Sequence, residues 1–299
     1  MFHVEQMKLV DIKECPICGS TGSELYLESN DYSTSKKDFS IRECTSCNFR
    51  FTSPLPTEND IGSFYESEDY ISHTDSNKGV MNKVYQTVRN RAIKQKQNLI
   101  SSLTSEKTLL DIGCGTGDFL KFCQDHNWKT IGLEPSPSAR EICHTKNVEA
   151  KDIDELHNLE NESISVITMW HVLEHVYSLN RDFEKINSVL KKDGRLVIAV
   201  PNCSSYDAGK YGKFWAAYDL PIHLYHFRPN DIKNLADKFD MEVENILPMK
   251  FDSYYVSMLS EKYKGGNIVS AFFTGAKSNR KANEQNNQYS SQIYILKKK

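Results

Sequence analysis

The sequence contains no apolar run approaching the roughly 20 residues that a membrane-spanning helix requires. Residues Met1 to Val10 lack the basic start, apolar stretch and small-residue cleavage site of a secretory leader, so a cytoplasmic location is the expectation. A large charge of either sign is also missing. Lys and Arg number 37 against 40 Asp and Glu, a net of −3, which argues against a general affinity for nucleic acid or anionic lipid while leaving room for a local basic patch. No segment repeats. With 26% charged and 39% hydrophobic residues the composition is globular. A chain of 299 residues suffices for one large domain or for a core domain with a small extra one.

Of the eight cysteines, four lie in the first fifty residues: Cys15, Cys18, Cys44 and Cys47, as CPIC and CTSC with 25 residues between the pairs. In a reducing compartment these are expected as free thiols or metal ligands rather than disulfides. Four thiolates on two tight turns suit one tetrahedral Zn2+ with every position filled, which makes the ion structural. A redox dithiol is the competing reading, and the two matched pairs argue against it. Cys114, Cys123, Cys143 and Cys203 are scattered.

The chain divides into a zinc-ribbon-like module over residues 1–56, a helical cap or lid over 57–106, and a core over 107–299 that carries a substrate loop at 201–228. Helical periodicity runs from Asn82 to Leu103. Strand and helix patterns then alternate from Thr108 to Val200, which implies a parallel sheet covered on both faces. A helix over Asn230–Phe239, a strand near Glu242–Leu247 and a last strand, Ser291–Leu296, follow, the last one at or near a sheet edge. The polar run Lys277–Ser290 reads as a solvated helix end and loop.

Asp111-Ile112-Gly113-Cys114-Gly115-Thr116-Gly117 joins a strand to a helix. Glycines let the chain turn sharply and let a ligand lie against bare backbone. The next helix offers free N–H groups and a partial positive charge, and in an open α/β sheet this place is the ligand crevice. The third glycine comes one residue too early for a dinucleotide fingerprint, and Asp118 stands in its place. Carboxylates here suit a ligand bearing an ammonium and a sulfonium and repel a pyrophosphate. Glu134 ends the next strand, where a carboxylate can accept bonds from both hydroxyls of a ribose. The alternative is a surface Glu before Pro135.

These residues resemble the class I S-adenosylmethionine-dependent methyltransferases over roughly Lys107 to Phe251. The resemblance implies an α/β fold: a Rossmann-like, seven-stranded, doubly wound, mostly parallel sheet with an antiparallel last strand. It implies that Gly113, Gly115 and Gly117 pass under the methionine part of S-adenosylmethionine, that Asp111 orders the loop and the amino group, and that Glu134 holds the ribose. Asp152 and Ile153 fall where the family places adenine contacts, although Asp152 equally suits a helix cap. Trp170-His171-Val172-Leu173-Glu174-His175 resembles the HVLEH signature of many small-molecule methyltransferases, with His171 facing the cofactor and His175 either functional or a structural hydrogen-bonding group. Ser165 stands where an Asp commonly opens that strand. Tyr65, Tyr70 and His73 precede the core, and Tyr70 is the candidate for the cofactor carboxylate. A core preceded by a cysteine module also resembles sugar C-methyltransferases, but the C-terminal part differs.

The stretch Pro201–Phe227 carries Tyr206, Tyr211, Phe214, Trp215, Tyr218, Tyr225 and Phe227, with Asp219, His223 and His226. A loop this long is usually functional, and aromatic faces with a few polar groups suit an organic substrate. Imidazole is suited to proton transfer near neutral pH. His223 is the first candidate base and His226 the second; the alternative is that both anchor the loop. The expected activity is methyl transfer to a small-molecule or glycan-related acceptor. The alternatives are an RNA or protein acceptor, or a non-catalytic cofactor-binding scaffold.

Overall fold

The computed structural model describes residues 8–65, 80–284 and 287–299, with the side chains of the first long helix described from residue 89. Tyr70 and His73 lie outside the described residues.

Five short strands come first: β1 (Leu9–Val10), β2 (Ser23–Asn30), β3 (Asp38–Cys44), β4 (Arg50–Thr52) and β5 (Leu55–Pro56). In β3 the buried Phe39 and Ile41 alternate with Asp38, Ser40 and Arg42, the period of a strand with one face inward. The long helix α1 (Val80–Leu103) follows. Then come β6 (Thr108–Ile112), α2 (Asp118–Gln124), β7 (Lys129–Leu133), α3 (Pro137–Thr145), β8 (Ala150–Lys151), β9 (Ile164–Trp170), α4 (Leu179–Val189) and β10 (Leu190–Pro201). Every residue of β9 but the last is buried, as expected of a strand covered on both faces. The chain closes with α5 (Tyr206–Tyr211), β11 (Tyr225–His226), α6 (Pro229–Lys238), β12 (Met241–Pro248), α7 (Asp252–Lys264), α8 (Ile268–Glu284) and β13 (Ser291–Lys298).

The main sheet has seven strands in the order β12-β13-β10-β9-β6-β7-β8. The ladders from β10 through β9 and β6 to β8 are parallel, and β13 is antiparallel to both of its neighbours. This is the fold class the sequence implied. β13 is second from the edge, covered by β12. The order reverses between β6 and β9, so the crevice at the carboxyl ends of these two strands is the natural ligand site.

A second sheet has the order β11-β4-β3-β2. Its outer strand β11 comes from the 201–228 segment: Tyr225 pairs with Phe51 and His226 with Arg50. Phe49, Phe51, Tyr225 and Phe227 pack ring against ring and join the core beneath β9 and β10. The cysteine-bearing strands and the 201–228 segment, which forms a second cap (hereafter the cap), are thus welded together.

The run Lys277–Ser290 differs from its reading as a solvated end. Ser278 and Ser290 are fully buried and donate to Asp207 of α5 at 2.6 Å each, while Trp215 Nε1 donates to the same carboxylate at 2.8 Å. Small polar residues read as solvent-facing in sequence. Here a buried carboxylate 71 and 83 positions away accepts from them.

Candidate functional site

Gly113, Gly115 and Gly117 all have positive φ, at 71°, 53° and 76°. A Cβ on Gly113 would stand 2.4 Å from Val172 Cγ2, and one on Gly117 would stand 2.8 Å from Cys143 Sγ. A Cβ on Gly115 would meet nothing within 4 Å, so open space lies over that stretch of backbone. The amides of Gly113 and Cys114 donate to Leu133 O at 2.7 and 3.1 Å, which pins the turn to the end of β7. Asp118, in the first turn of α2, pairs with Arg89 and, at 2.8 Å, with Lys146; its charge is spent within the protein.

Asp111 is buried at the end of β6 and accepts a 2.5 Å bond from Thr168 Oγ1. Burial pushes its carboxyl up to about 7; the Thr168 bond and the Lys96 ammonium pull it down, and Glu134 pushes it up. Lys96, on α1, also lies 4.3 Å from the centroid of the Trp170 ring. Glu134 accepts from Gly115 N and Ser136 N, one on each carboxylate oxygen, both at 2.9 Å. Each oxygen keeps a further lone pair.

Asp152 caps the 3-10 turn Ile153–Asn158, accepting from Asp154 N at 3.2 Å, and its other oxygen is 2.8 Å from Arg140. The capping contact foreseen for it is present. Ile153 is half-buried against the main core. His171 follows β9 with a φ of 57°. Its Nε2 is 3.1 Å from Asp252 of α7 and its Nδ1 3.4 Å from Glu174. Burial alone would lower its pKa, but the bonds to Asp252 and Glu174 outweigh this and hold it up to about 10.

On the cap side, His223 Nδ1 is 2.9 Å from Ala217 O and His175 Nδ1 is 2.9 Å from Ile222 O. The two rings meet edge to face with centroids 4.6 Å apart. Beside them Glu174 is fully buried, with no hydrogen-bond partner on either oxygen. His226 stands elsewhere: its Nε2 is 3.1 Å from Thr52 Oγ1 on β4, and its ring packs edge-on against Tyr218. Burial holds it well below the usual imidazole range. Of the seven cap aromatics, Tyr211, Trp215, Tyr218, Tyr225 and Phe227 are buried and form the interior of the cap. The roles of Thr168, Lys96 and Asp252 had no sequence signal: Thr168 reaches Asp111 across 57 positions, Asp252 reaches His171 across 81, and the Lys96 ammonium acts on Asp111 from a separate helix.

The four N-terminal sulfurs gather in one place. Cys15 Sγ is 3.6 Å from Cys47 Sγ, and Cys18 Sγ is 3.6 Å from Cys44 Sγ. The two turns are alike: Gly19 N donates to Cys15 O and Asn48 N to Cys44 O, both at 2.8 Å, and Gly19 and Asn48 both take positive φ. A tetrahedral ion with bonds of about 2.3 Å sets its sulfurs about 3.8 Å apart. The cluster fits such an ion with little movement.

The sequence model of a family described as a methyltransferase domain matches residues 85–246, more than half of the chain, a span that includes the glycine loop, Glu134 and the 170–175 segment. The chain belongs to this methyltransferase-domain family. It is 28% identical over 120 residues to an uncharacterized methyltransferase of Anoxybacillus flavithermus, a stretch covering 38% of this chain and 52% of the relative. The chain thus spans about half the length of the curated relative it matches. Among solved structures it is similar to geranyl diphosphate C-methyltransferase from Streptomyces coelicolor A3(2), crystallised with Mg2+, geranyl diphosphate and S-adenosyl-L-homocysteine. The identity there is 13%, over 77% of this chain and 88% of that one, with a TM-score of 0.54. A methyltransferase from Archaeoglobus fulgidus is 21% identical over 70% of this chain and 94% of that one, with a TM-score of 0.47. The family match and the strand order together define a class I S-adenosylmethionine-dependent methyltransferase core. Among the described residues, no helix is long and apolar enough to cross a membrane.

Proposed function

We propose that this chain transfers the methyl group of S-adenosylmethionine to a small-molecule or glycan-related acceptor held under the 201–228 cap. The observation that carries the acceptor class is burial. The polar cluster beside the crevice, Glu174 and His223, is 0% and 8% exposed, with Leu224 N donating to Glu174 O and Thr52 Oγ1 of β4 to His223 O. Groups so withdrawn from the surface suit a compact acceptor and not the broad face of an RNA or a folded protein.

In this reading S-adenosylmethionine supplies an electrophilic methyl on a sulfonium, and the chain supplies alignment, the main demand of an in-line displacement. Backbone at Gly113, Gly115 and Gly117 takes the methionine part. Ionised Asp111 faces the amino group, Glu134 the ribose hydroxyls, and Asp152 with Ile153 the adenine side. His171 stands between the cofactor and the acceptor cluster, and Tyr70 is kept for the cofactor carboxylate. Of the two candidate histidines, His223 meets the acceptor, while His226 ties the cap to β4. Cys15, Cys18, Cys44 and Cys47 hold a structural Zn2+.

Calorimetry with S-adenosylmethionine, followed by a labelled-methyl screen of hydroxylated metabolites and glycan precursors, tests the proposal. Binding is expected in the wild type and weakened at least about tenfold in Asp111→Ala and Glu134→Ala, the loss of one charge-assisted contact. Absent binding in the wild type, or binding unchanged from wild type in both variants, would refute it. Methylation of RNA or protein but of no small molecule would overturn the acceptor class.

A further inference from the structure

The cluster beside the crevice holds a carboxylate that the cofactor reading does not use. Glu174 is 0% exposed, and neither of its oxygens has a hydrogen-bond partner. A buried carboxylate without a hydrogen bond costs several kcal/mol, so its surroundings must compensate, and the His171 ring at 3.4 Å is one such neighbour. One ligand atom each from Glu174, His175 and His223 lies within 4.8 Å of the others. Both rings are held from behind, His175 by Ile222 O and His223 by Ala217 O, each at 2.9 Å from Nδ1. A carbonyl oxygen only accepts, so on His223 Nδ1 carries the proton and the neutral ring keeps its lone pair on Nε2; His175 Nδ1 also has Tyr65 Oη at 3.1 Å, and donation to Ile222 O, the shorter contact, leaves its Nε2 lone pair likewise. Backbone carbonyls behind Nδ1 are the usual support of metal-bound histidines.

The rival explanation is that His171 alone neutralises Glu174. Its Nδ1 is 3.4 Å from Glu174, but its Nε2 serves Asp252 at 3.1 Å. That explanation leaves the His171 ring shared between two carboxylates and both Glu174 oxygens without a hydrogen bond. It also leaves unexplained why two neutral imidazoles, each with a free nitrogen, are gathered beside the same carboxylate.

The geometry points to a divalent transition-metal site formed by Glu174, His175 and His223, separate from the cysteine cluster. Two imidazoles and one carboxylate suit Zn2+, Fe2+, Co2+ or Mn2+ rather than an all-oxygen ion such as Ca2+. Three protein ligands leave coordination positions open, the pattern of a catalytic ion rather than a structural one. Bonds of about 2.0–2.2 Å set ligand atoms roughly 3.0–3.5 Å apart, against separations of up to 4.8 Å among the ligand atoms of the three groups here. An acceptor hydroxyl on such an ion is acidified as metal-bound water is, and His223 then acts through the ion rather than as a free base. That use rests on the methyl-transfer reading; the site itself does not.

The test uses the full chain with zinc in its cysteine cluster and no S-adenosylmethionine. Mn2+, which thiolates bind poorly, is titrated in and followed by electron paramagnetic resonance. One saturable Mn2+ per chain is expected, with affinity reduced tenfold or more in Glu174→Gln and in His223→Ala. Circular dichroism checks that both variants are folded, and the wild-type titration stands even if one is not. Absence of saturable binding in the wild type, or unchanged affinity in either folded variant, overturns the site. Because the readout needs no cofactor, its failure is separate from a failure of cofactor binding.

Discussion

Gly113→Ala probes whether the cofactor loop and the segment carrying His171 and Glu174 form one packed unit. The native φ is +71°, and the added methyl would stand 2.4 Å from Val172 Cγ2 and 3.3 Å from Cγ1. A left-handed alanine costs about 1–2 kcal/mol, and relieving the overlap costs about 1–3 kcal/mol more. The expected loss of stability is therefore about 2–5 kcal/mol. Val172→Ala removes both opposing methyls and relieves the steric share, but the backbone share persists. In that background Gly113→Ala should cost only about 1–2 kcal/mol, a coupling of about 1–3 kcal/mol between the two positions. Urea unfolding with an unchanged denaturant slope measures each corner of the cycle. If Gly113→Ala costs the same in both backgrounds, the loop does not bear on Val172 and the argument fails.

The raised pKa of Asp111 gives a pH prediction. Lys96, Glu134 and the Thr168 hydroxyl face this carboxyl, and burial dominates, setting it at about 7 against an ordinary 3.8. A raised carboxyl favours the folded state when protonated. Its contribution is complete below about pH 4 and is lost as pH rises through about 7. Holding an ammonium needs the ionised form, so S-adenosylmethionine affinity should move the opposite way and increase from about pH 6 to about pH 8. In Asp111→Asn both slopes should flatten, and identical pH profiles in the variant would count against the assignment. For the cysteine cluster, Cys44→Ser should abolish stoichiometric zinc. Because β11 pairs with β4, the same change should speed proteolysis within residues 201–228; an unaltered cleavage rate would show that the cap does not depend on the metal.

Much of the core was legible because its signals are local. A strand buried on both faces must be apolar throughout, so β9 and the second half of β10 announce themselves. A helix opening on three left-handed residues needs glycines at 113, 115 and 117. Two like turns in CPICG and CTSCN present paired thiols whatever surrounds them. The cap was less legible. Its aromatics suggested a substrate surface, yet most form its interior, because a hydrophobic ring carries no mark of which apolar neighbour it will meet. The serines at 278 and 290 read as solvent-facing because their acceptor, Asp207, is distant in sequence.

The sequence by itself determined the glycine turn, the alternation of strands and helices, and the cysteine pairs, since backbone conformation and local burial pattern dictate each within a few residues. The tertiary structure alone decided that β11 completes the cysteine-bearing sheet, that Asp252 reaches His171 across 81 positions, and that His223 arrives beside Glu174 and His175. The physical reason is that these contacts depend on how separate elements pack over the crevice, and no short-range preference of the chain encodes that convergence.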